Sequence, residues 1–119
     1  MREDAMQTSV RDVGIFLEKQ AKIGAPITYQ KVVERFPDLG PLTEFWRSHP
    51  LCSIFGELDA EDHRNGRPFR TALVCAKQTG KPGHGFFETV STLRNQPISD
   101  QNEDEVWVSE FNALREHYK

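Results

Sequence analysis

Residues 69–86 read FRTALVCAKQTGKPGHGF, and this stretch sets the fold class of the chain. In its first part, Phe69 to Ala76, both alternating sets of positions are small or apolar, which predicts a mostly buried β-strand. Three glycines and a proline fall between Lys77 and Gly85, and they predict a loop or a hairpin tip. The stretch therefore adds a small β element to a chain whose other patterns are helical.

Helical periodicity lies on both sides of this β element. Leu51, Ile54, Phe55 and Leu58 follow the i, i+3, i+4, i+7 spacing of a helix with one apolar face. Residues 86–93 fit a helix or a strand, and the helix fits slightly better. The predicted helices cover about residues 8–23, 28–36, 42–49, 50–64, 86–93 and 104–118, and residues 27–29 form a short extended piece.

The order of these elements is that of a winged-helix domain. Residues 28–33 (TYQKVV), and residues 72–74 leading into 79–86, resemble the DNA-binding domain of alkyltransferase-like proteins and alkylguanine-DNA alkyltransferases. The resemblance spans about residues 26–87 and implies a helix-turn-helix with a glycine-rich wing. The reactive Pro-Cys-His-Arg run of that family is replaced by PFRTA at 68–72, so the resemblance implies no alkyl transfer.

Composition places the chain among folded domains. It has 119 residues, 37% of them hydrophobic, with eight Phe and two Trp whose burial offsets chain entropy. We expect one α+β, winged-helix-like domain over 1–119, with a core at about 9–94 and a C-terminal helix at about 104–118. The charged start, Met1 to Asp4, has no apolar segment behind it, so a signal peptide is not expected. No membrane span is expected either, and two cysteines without a disulfide framework favour the cytoplasm.

Charge is distributed in blocks that the formal net charge of -3 hides. Residues 64–97 contain six Lys or Arg and one Glu, whereas the segments before and after them are acidic. Such a basic cluster beside a glycine-rich loop is typical of phosphate binding. The residues predicted to contact a DNA or RNA backbone are Arg64, Arg67, Arg70, Lys77, Lys81 and His84. The alternative is that neighbouring carboxylates neutralise these cations.

The polar positions of the predicted helix 50–64 favour a different partner. They carry Glu57, Asp59, Glu61 and Asp62, which would repel phosphates if this helix read DNA. Acidic residues suit a basic protein instead, as in immunity proteins and inhibitors that neutralise a toxin. The leading interpretation is thus a nucleic-acid-associated accessory protein, and the second is a protein-binding module with these four carboxylates.

No residue pattern indicates catalysis, a cofactor or a metal. Cys75 lies among apolar residues, where a thiol is inert, and Cys52 has no partner visible in the sequence. The four histidines lack metal-ligand spacing, and the loop at 80–85 lacks the Walker pattern. We therefore expect a non-enzymatic binding protein with no cofactor and no metal.

Overall fold

The protein is mostly helical, with a small two-stranded sheet. The computed structural model describes residues 8–119, and the charged start of the chain lies outside this range. The helices are α1 (Val10–Ile23), α2 (Tyr29–Arg35), α3 (Pro50–Arg64), α4 (His84–Arg94) and α5 (Glu103–His117), and the strands are β1 (Ile27–Thr28) and β2 (Val74–Cys75). This architecture confirms the α+β prediction in its coarse form. Within residues 8–119, every helix is too short or too polar to cross a membrane.

Local capping chemistry explains where the helices begin and end. Ser9 and Asp12 form a capping box at the start of α1, and Gly24 ends that helix with a φ of 81°. The Thr28 side chain accepts a hydrogen bond from the backbone of Lys31 and so caps α2. The observed ends agree with the helices predicted at about 8–23 and 28–36, and the predicted helices at 50–64, 86–93 and 104–118 are confirmed as well.

The predicted strand at 69–76 is wrong over most of its length. Only Val74 and Cys75 of this segment pair as a strand, because residues 70–73 form a 3₁₀-helical turn. The backbone amide of Arg70 donates to Asp62 and that of Phe69 donates to Glu110, so side chains satisfy both amides in place of a neighbouring strand. β2 pairs in parallel with β1, with Ile27 opposite Val74, so the predicted hairpin is also wrong.

The segment 77–83 is a closed loop that leads directly into α4. The amide of Gly80 donates to the carbonyl of Ala76, and the amide of Ala76 donates to the carbonyl of Lys81, each over 2.8 Å. The predicted helix at 42–49 is reduced to one turn at Trp46–Ser48. Upstream of this turn, the Thr43 hydroxyl binds the backbone of Phe45, an interaction that competes with helix formation.

The core lies around the 3₁₀ turn, with α1 and α3 packed on it. Helix α5 covers it as well, because Trp107 Nε1 donates to the Ala72 carbonyl over 2.8 Å and Leu114 is fully buried. The C-terminal helix is therefore part of the same hydrophobic core as the segment before it. Fully buried residues of this core include Val13, Leu17, Val32, Leu51, Phe69, Leu73, Val74 and Val90.

Candidate functional site

Arg70, predicted to contact phosphates, is an internal residue. Its Nη1 lies 2.8 Å from Glu18 Oε2, its Nη2 lies 2.7 Å from Glu61 Oε1, and its Nε lies 3.0 Å from Asp62 Oδ1. Burial alone would lower the pKa of Arg70, but its hydrogen bonds to Asp62 and Glu61 raise it overall. Only 3% of the residue is exposed, so the expectation that its guanidinium lies on the surface is wrong.

Two more of the predicted cations also bind carboxylates of the same chain. Arg67 binds Asp62 through Nε over 3.0 Å and Glu61 through Nη2 over 3.1 Å. Lys81 Nζ lies 2.7 Å from both Glu103 and Asp104 at the start of α5, and these hydrogen bonds raise the pKa of Lys81. Internal neutralisation, the alternative that the sequence left open, therefore applies to Arg67, Arg70 and Lys81.

The other three predicted phosphate contacts are exposed. Among residues 8–119, Arg64 and Lys77 have no carboxylate within ion-pair distance. His84 Nε2 lies 3.4 Å from Glu88 on the first turn of α4. The six residues consequently do not form one basic surface.

The four carboxylates of α3 divide between the core and the surface. Glu57 is exposed and Glu61 is half-buried, whereas Asp59 and Asp62 are 3% and 0% exposed. The expectation that all four share an outer polar face is therefore wrong for Asp59 and Asp62. The sequence did hold a signal for Asp62, because it continues the apolar stripe of α3 four residues after Leu58.

A cleft of about 820 Å³ opens between residues 42–48, α3 and the start of α4. No sequence motif identified it, because its residues come from five separate parts of the chain. Residues that line it include Tyr29, Leu42, Phe45, Trp46, Cys52, Phe55, Gly56, Asp59, Thr71, Gly83, His84 and Glu88. The sequence predicted that Phe45 and Trp46 both belong to the core, but Phe45 is 66% exposed at the edge of this cleft.

Aromatic rings form one wall of the cleft. The rings of Tyr29 and Trp46 meet edge to face at 5.2 Å, and Trp46 packs against Phe55 at 6.0 Å. The Tyr29 hydroxyl accepts a hydrogen bond from the amide of Gly83 over 2.9 Å, which ties the loop before α4 to this wall. Burial raises the pKa of Tyr29, so its hydroxyl stays protonated at neutral pH.

Asp59 lies in the cleft as a buried carboxyl group. Its Oδ1 accepts a hydrogen bond from the Thr71 hydroxyl over 2.6 Å, and its Oδ2 has no hydrogen-bond partner among residues 8–119. Burial raises the pKa of Asp59 to about 7, and the hydrogen bond from Thr71 opposes this increase only in part. At neutral pH the cleft therefore contains a carboxyl group close to its titration point.

The rim of the cleft carries charges that largely cancel. Glu88 accepts a hydrogen bond from Arg47 Nη2 over 3.2 Å and faces the His84 ring. Cys52 lines the cleft and is half-buried. Cys75 is buried as predicted, and burial raises the pKa of its thiol to about 11. The cleft thus combines apolar walls, one buried acid and a rim of nearly balanced charge.

Within residues 8–119, no three His, Cys, Asp or Glu side chains are arranged to hold a metal ion. A ligand of this site would therefore be bound through the aromatic wall, Asp59 and the rim. Comparisons with models of protein families, with curated proteins and with solved structures found no significant match to the chain.

Proposed function

We propose that the protein is a non-catalytic binding protein that holds a ligand in the aromatic cleft above Asp59. The observation that carries this proposal is the cleft itself, at about 820 Å³, with a buried carboxyl group inside it. Ligand sites are typically concave, mostly apolar and equipped with a few convergent polar groups. A titratable residue with a strongly perturbed pKa in such a cleft is a further mark of a functional site.

Binding fits the cleft better than catalysis does. A nucleophile needs an adjacent base or a cationic neighbour that activates it. Among residues 8–119, Cys52 has neither an ion pair nor a hydrogen bond from a base, so nothing activates its thiol. The groups in the cleft are thus suited to contact a ligand and to orient it.

The nucleic-acid interpretation draws less support from the positions of its residues. Arg67, Arg70 and Lys81 would have to exchange short ion pairs for phosphates before they bound a strand. The protein-binding interpretation relied on four carboxylates of α3, of which Glu57 is exposed, Glu61 is half-buried and the other two are buried. The cleft requires no such rearrangement, and it includes Asp59, one of the carboxylates predicted to bind a partner.

Backbone amides of glycine provide the test, because they lie both inside and outside the cleft. Gly56, Gly83 and Gly85 line it, whereas Gly24 and Gly66 end α1 and follow α3. A library of aromatic fragments added to ¹⁵N-labelled protein should shift the cleft glycines and leave the other two unchanged. Shifts at Gly24 and Gly66 alone, or no shift at millimolar fragment, would contradict the proposal.

A pair of adjacent variants on α3 separates binding in the cleft from binding elsewhere. Gly56 lines the cleft, and a Cβ atom built on it meets nothing within 4 Å, so a side chain can start there and Gly56→Leu should narrow the cleft. Glu57→Leu adds the same side chain one residue along the helix, at an exposed position outside the cleft. We expect the first variant to abolish fragment binding and the second to retain it.

A further inference from the structure

We infer that the ligand of the cleft is a small aromatic amine in its cationic form, with its ammonium group on Asp59. This inference rests on the proposed binding function and adds the chemical class of the ligand. It depends on three features of the cleft: a buried carboxyl group without a cationic partner, an aromatic wall beside it, and a rim whose own cations are neutralised.

The first feature is that Asp59 forms no ion pair with a cation among residues 8–119. Buried carboxylates are usually paired, because an isolated charge in the protein interior is costly. The charge of Arg70 acts on Asp59, but its guanidinium nitrogens bind Asp62, Glu61 and Glu18. The free Oδ2 atom of Asp59 is therefore open to a donor that comes from outside the chain.

The second feature is the aromatic wall. An ammonium group is attracted to the face of a tryptophan or tyrosine ring, and the attraction strengthens when water is excluded. Trp46 and Tyr29 line the same cleft as Asp59, and Phe55 packs against both rings. An aromatic amine would therefore place its ring in an apolar setting while its charge remains close to the carboxyl group.

The third feature is the charge around the opening. Arg47 and His84 both face Glu88, and Glu44 also lines the cleft, so the rim does not repel a cation. The positive end of the α4 dipole lies at the same rim and favours an anion. Against it stand Asp59 and Glu44 in the cleft, Glu88, which binds Arg47, and the net charge of -3 of the whole chain.

Three probes of similar size test the inference: 2-phenylethylamine, 2-phenylethanol and 3-phenylpropionate, which are cationic, neutral and anionic at pH 8. Affinity is measured by calorimetry and by the fluorescence of Trp46 in a Trp107→Phe background. That background removes the second tryptophan, which lies on α5 and outside the cleft. We expect the amine to bind at least tenfold more tightly than the alcohol, and the acid to bind most weakly.

Asp59→Asn keeps the shape of the side chain and removes its charge. We expect the amine to lose at least tenfold in affinity in this variant, while the alcohol changes less than twofold. Asp38→Asn is the control, because this exposed carboxylate binds Thr8 and is not part of the cleft. An amine that binds Asp59→Asn as tightly as the unchanged protein overturns the inference.

The pH dependence of binding gives a readout that does not depend on a variant. The ionisable groups that act on Asp59 are Asp62 on α3, Arg70 on the 3₁₀ turn, Glu110 on α5 and Tyr29 on α2. His84 lines the same cleft from α4, and an alkylammonium with a pKa of about 10 keeps its charge between pH 5.5 and 8. We therefore expect amine affinity to fall about tenfold per pH unit below the pKa of Asp59, and alcohol affinity to stay constant.

The outcomes separate this inference from the proposed function. Equal affinity for amine and alcohol, both lost in Gly56→Leu, overturns the cationic ligand and leaves the cleft as a binding site. No binding of any probe at millimolar concentration overturns both proposals. A fourth probe is Nα-acetyl-lysine methylamide, which keeps the ε-ammonium group of a lysine side chain. If it binds more tightly than 2-phenylethylamine, the ligand is a lysine side chain of a protein and the small-amine inference is overturned.

Discussion

Arg70 and Asp62 hold each other inside the domain through both backbone and side-chain contacts. The amide of Arg70 donates to Asp62 Oδ2 over 2.9 Å, and its Nε donates to Asp62 Oδ1 over 3.0 Å. Glu18 of α1 and Glu61 of α3 bind the remaining nitrogens of the guanidinium. One side chain thereby connects α1, α3 and the 3₁₀ turn, and its removal would leave a fully buried carboxylate without its main partner.

Arg70→Met should destabilise the domain strongly. Breaking a buried ion pair by removing one partner costs about 3–5 kcal/mol, because the other charge stays buried; here Arg67 Nε still binds Asp62 Oδ1 over 3.0 Å, so we expect the lower end of this range. Urea unfolding followed by circular dichroism measures the change in the free energy of unfolding. Arg64→Met is the matched control, since Arg64 is exposed at the end of α3 and should change stability by no more than about 0.5 kcal/mol. Equal effects in the two variants would contradict the structural role of Arg70.

Gly14 lies beneath the same guanidinium and has no room for a methyl group. A Cβ atom at this position would lie 2.6 Å from Arg70 Nη1 and 3.1 Å from Leu58 Cδ2. Because the ion pairs hold Arg70 in place, we expect Gly14→Ala to lower the free energy of unfolding by about 1–3 kcal/mol.

Gly56→Ala is the corresponding control on α3, where the added Cβ meets nothing within 4 Å. This substitution should raise the free energy of unfolding by about 0.5–1 kcal/mol, since alanine favours the helix. Thermal unfolding of the two variants side by side checks the prediction. Stabilisation in both would show that Arg70 moves aside at little cost.

Asp59 should make stability depend on pH in a predictable direction. Its pKa is about 7 in the folded chain and about 4 when unfolded, so the folded chain binds more protons between these values. The contribution of Asp59 to the free energy of unfolding therefore falls as pH rises from about 4 to about 7. Asp59→Asn removes the titrating group and so does not lose stability as pH rises. At pH 8 its free energy of unfolding should exceed that of the parent by on the order of 4 kcal/mol, and at pH 4 the two should be nearly equal.

Asp38→Asn should behave in the opposite way. Hydrogen bonds from the hydroxyl and amide of Thr8 lower the pKa of Asp38, so its contribution is present at neutral pH and is lost in acid. The variant should be less stable than the parent at pH 7, and the difference should shrink below about pH 4. Chemical unfolding at four pH values measures both variants. A difference for Asp59→Asn that does not grow with pH would contradict a buried, high-pKa carboxyl group.

The salt dependence of nucleic-acid binding tests the basic segment directly. Each phosphate contact contributes about -0.9 to the slope of log K against log salt concentration on duplex DNA. We expect a slope no steeper than about -2, because Arg64 and Lys77 are the cations of this segment that lack ion pairs within residues 8–119. Fluorescence anisotropy with mixed-sequence duplex between 20 and 150 mM salt gives the value. A slope near -5 would indicate that Arg67, Arg70 and Lys81 exchange their carboxylates for phosphates.

Local signals in the sequence predicted the helices well and the segment after α3 poorly. Thr8 or Ser9 at the start of α1, of which Ser9 is the cap, and Pro50 in the first turn of α3 act within a few residues, so the sequence shows them. The 3₁₀ turn depends on Asp62 and Glu110, which lie 8 and 41 residues from the amides that they bind. Small apolar residues alone do not distinguish a strand from such a turn.

The candidate site was invisible in the sequence for a similar reason. Asp59 and Thr71 are 12 residues apart and meet only after the chain has reversed direction behind α3. Charge counting assigned Arg70 to a basic surface, because a count along the chain does not register the carboxylates across the core. The count of basic residues in this segment was correct, but the carboxylates that bind Arg67, Arg70 and Lys81 keep these cations from forming a basic surface.

Helix α5 has a consequence for the order in which the domain assembles. Trp107 and Glu110 bind the 3₁₀ turn and its preceding residue, and Leu114 is buried in the core; residues 8–102 supply no substitute for these two hydrogen bonds. During synthesis, the amide of Phe69 therefore cannot bind Glu110, and the carbonyl of Ala72 cannot bind Trp107, until α5 has emerged from the ribosome. Over that interval the nascent chain exposes the apolar surface around Phe69, and a chaperone that binds such surfaces would protect it from aggregation.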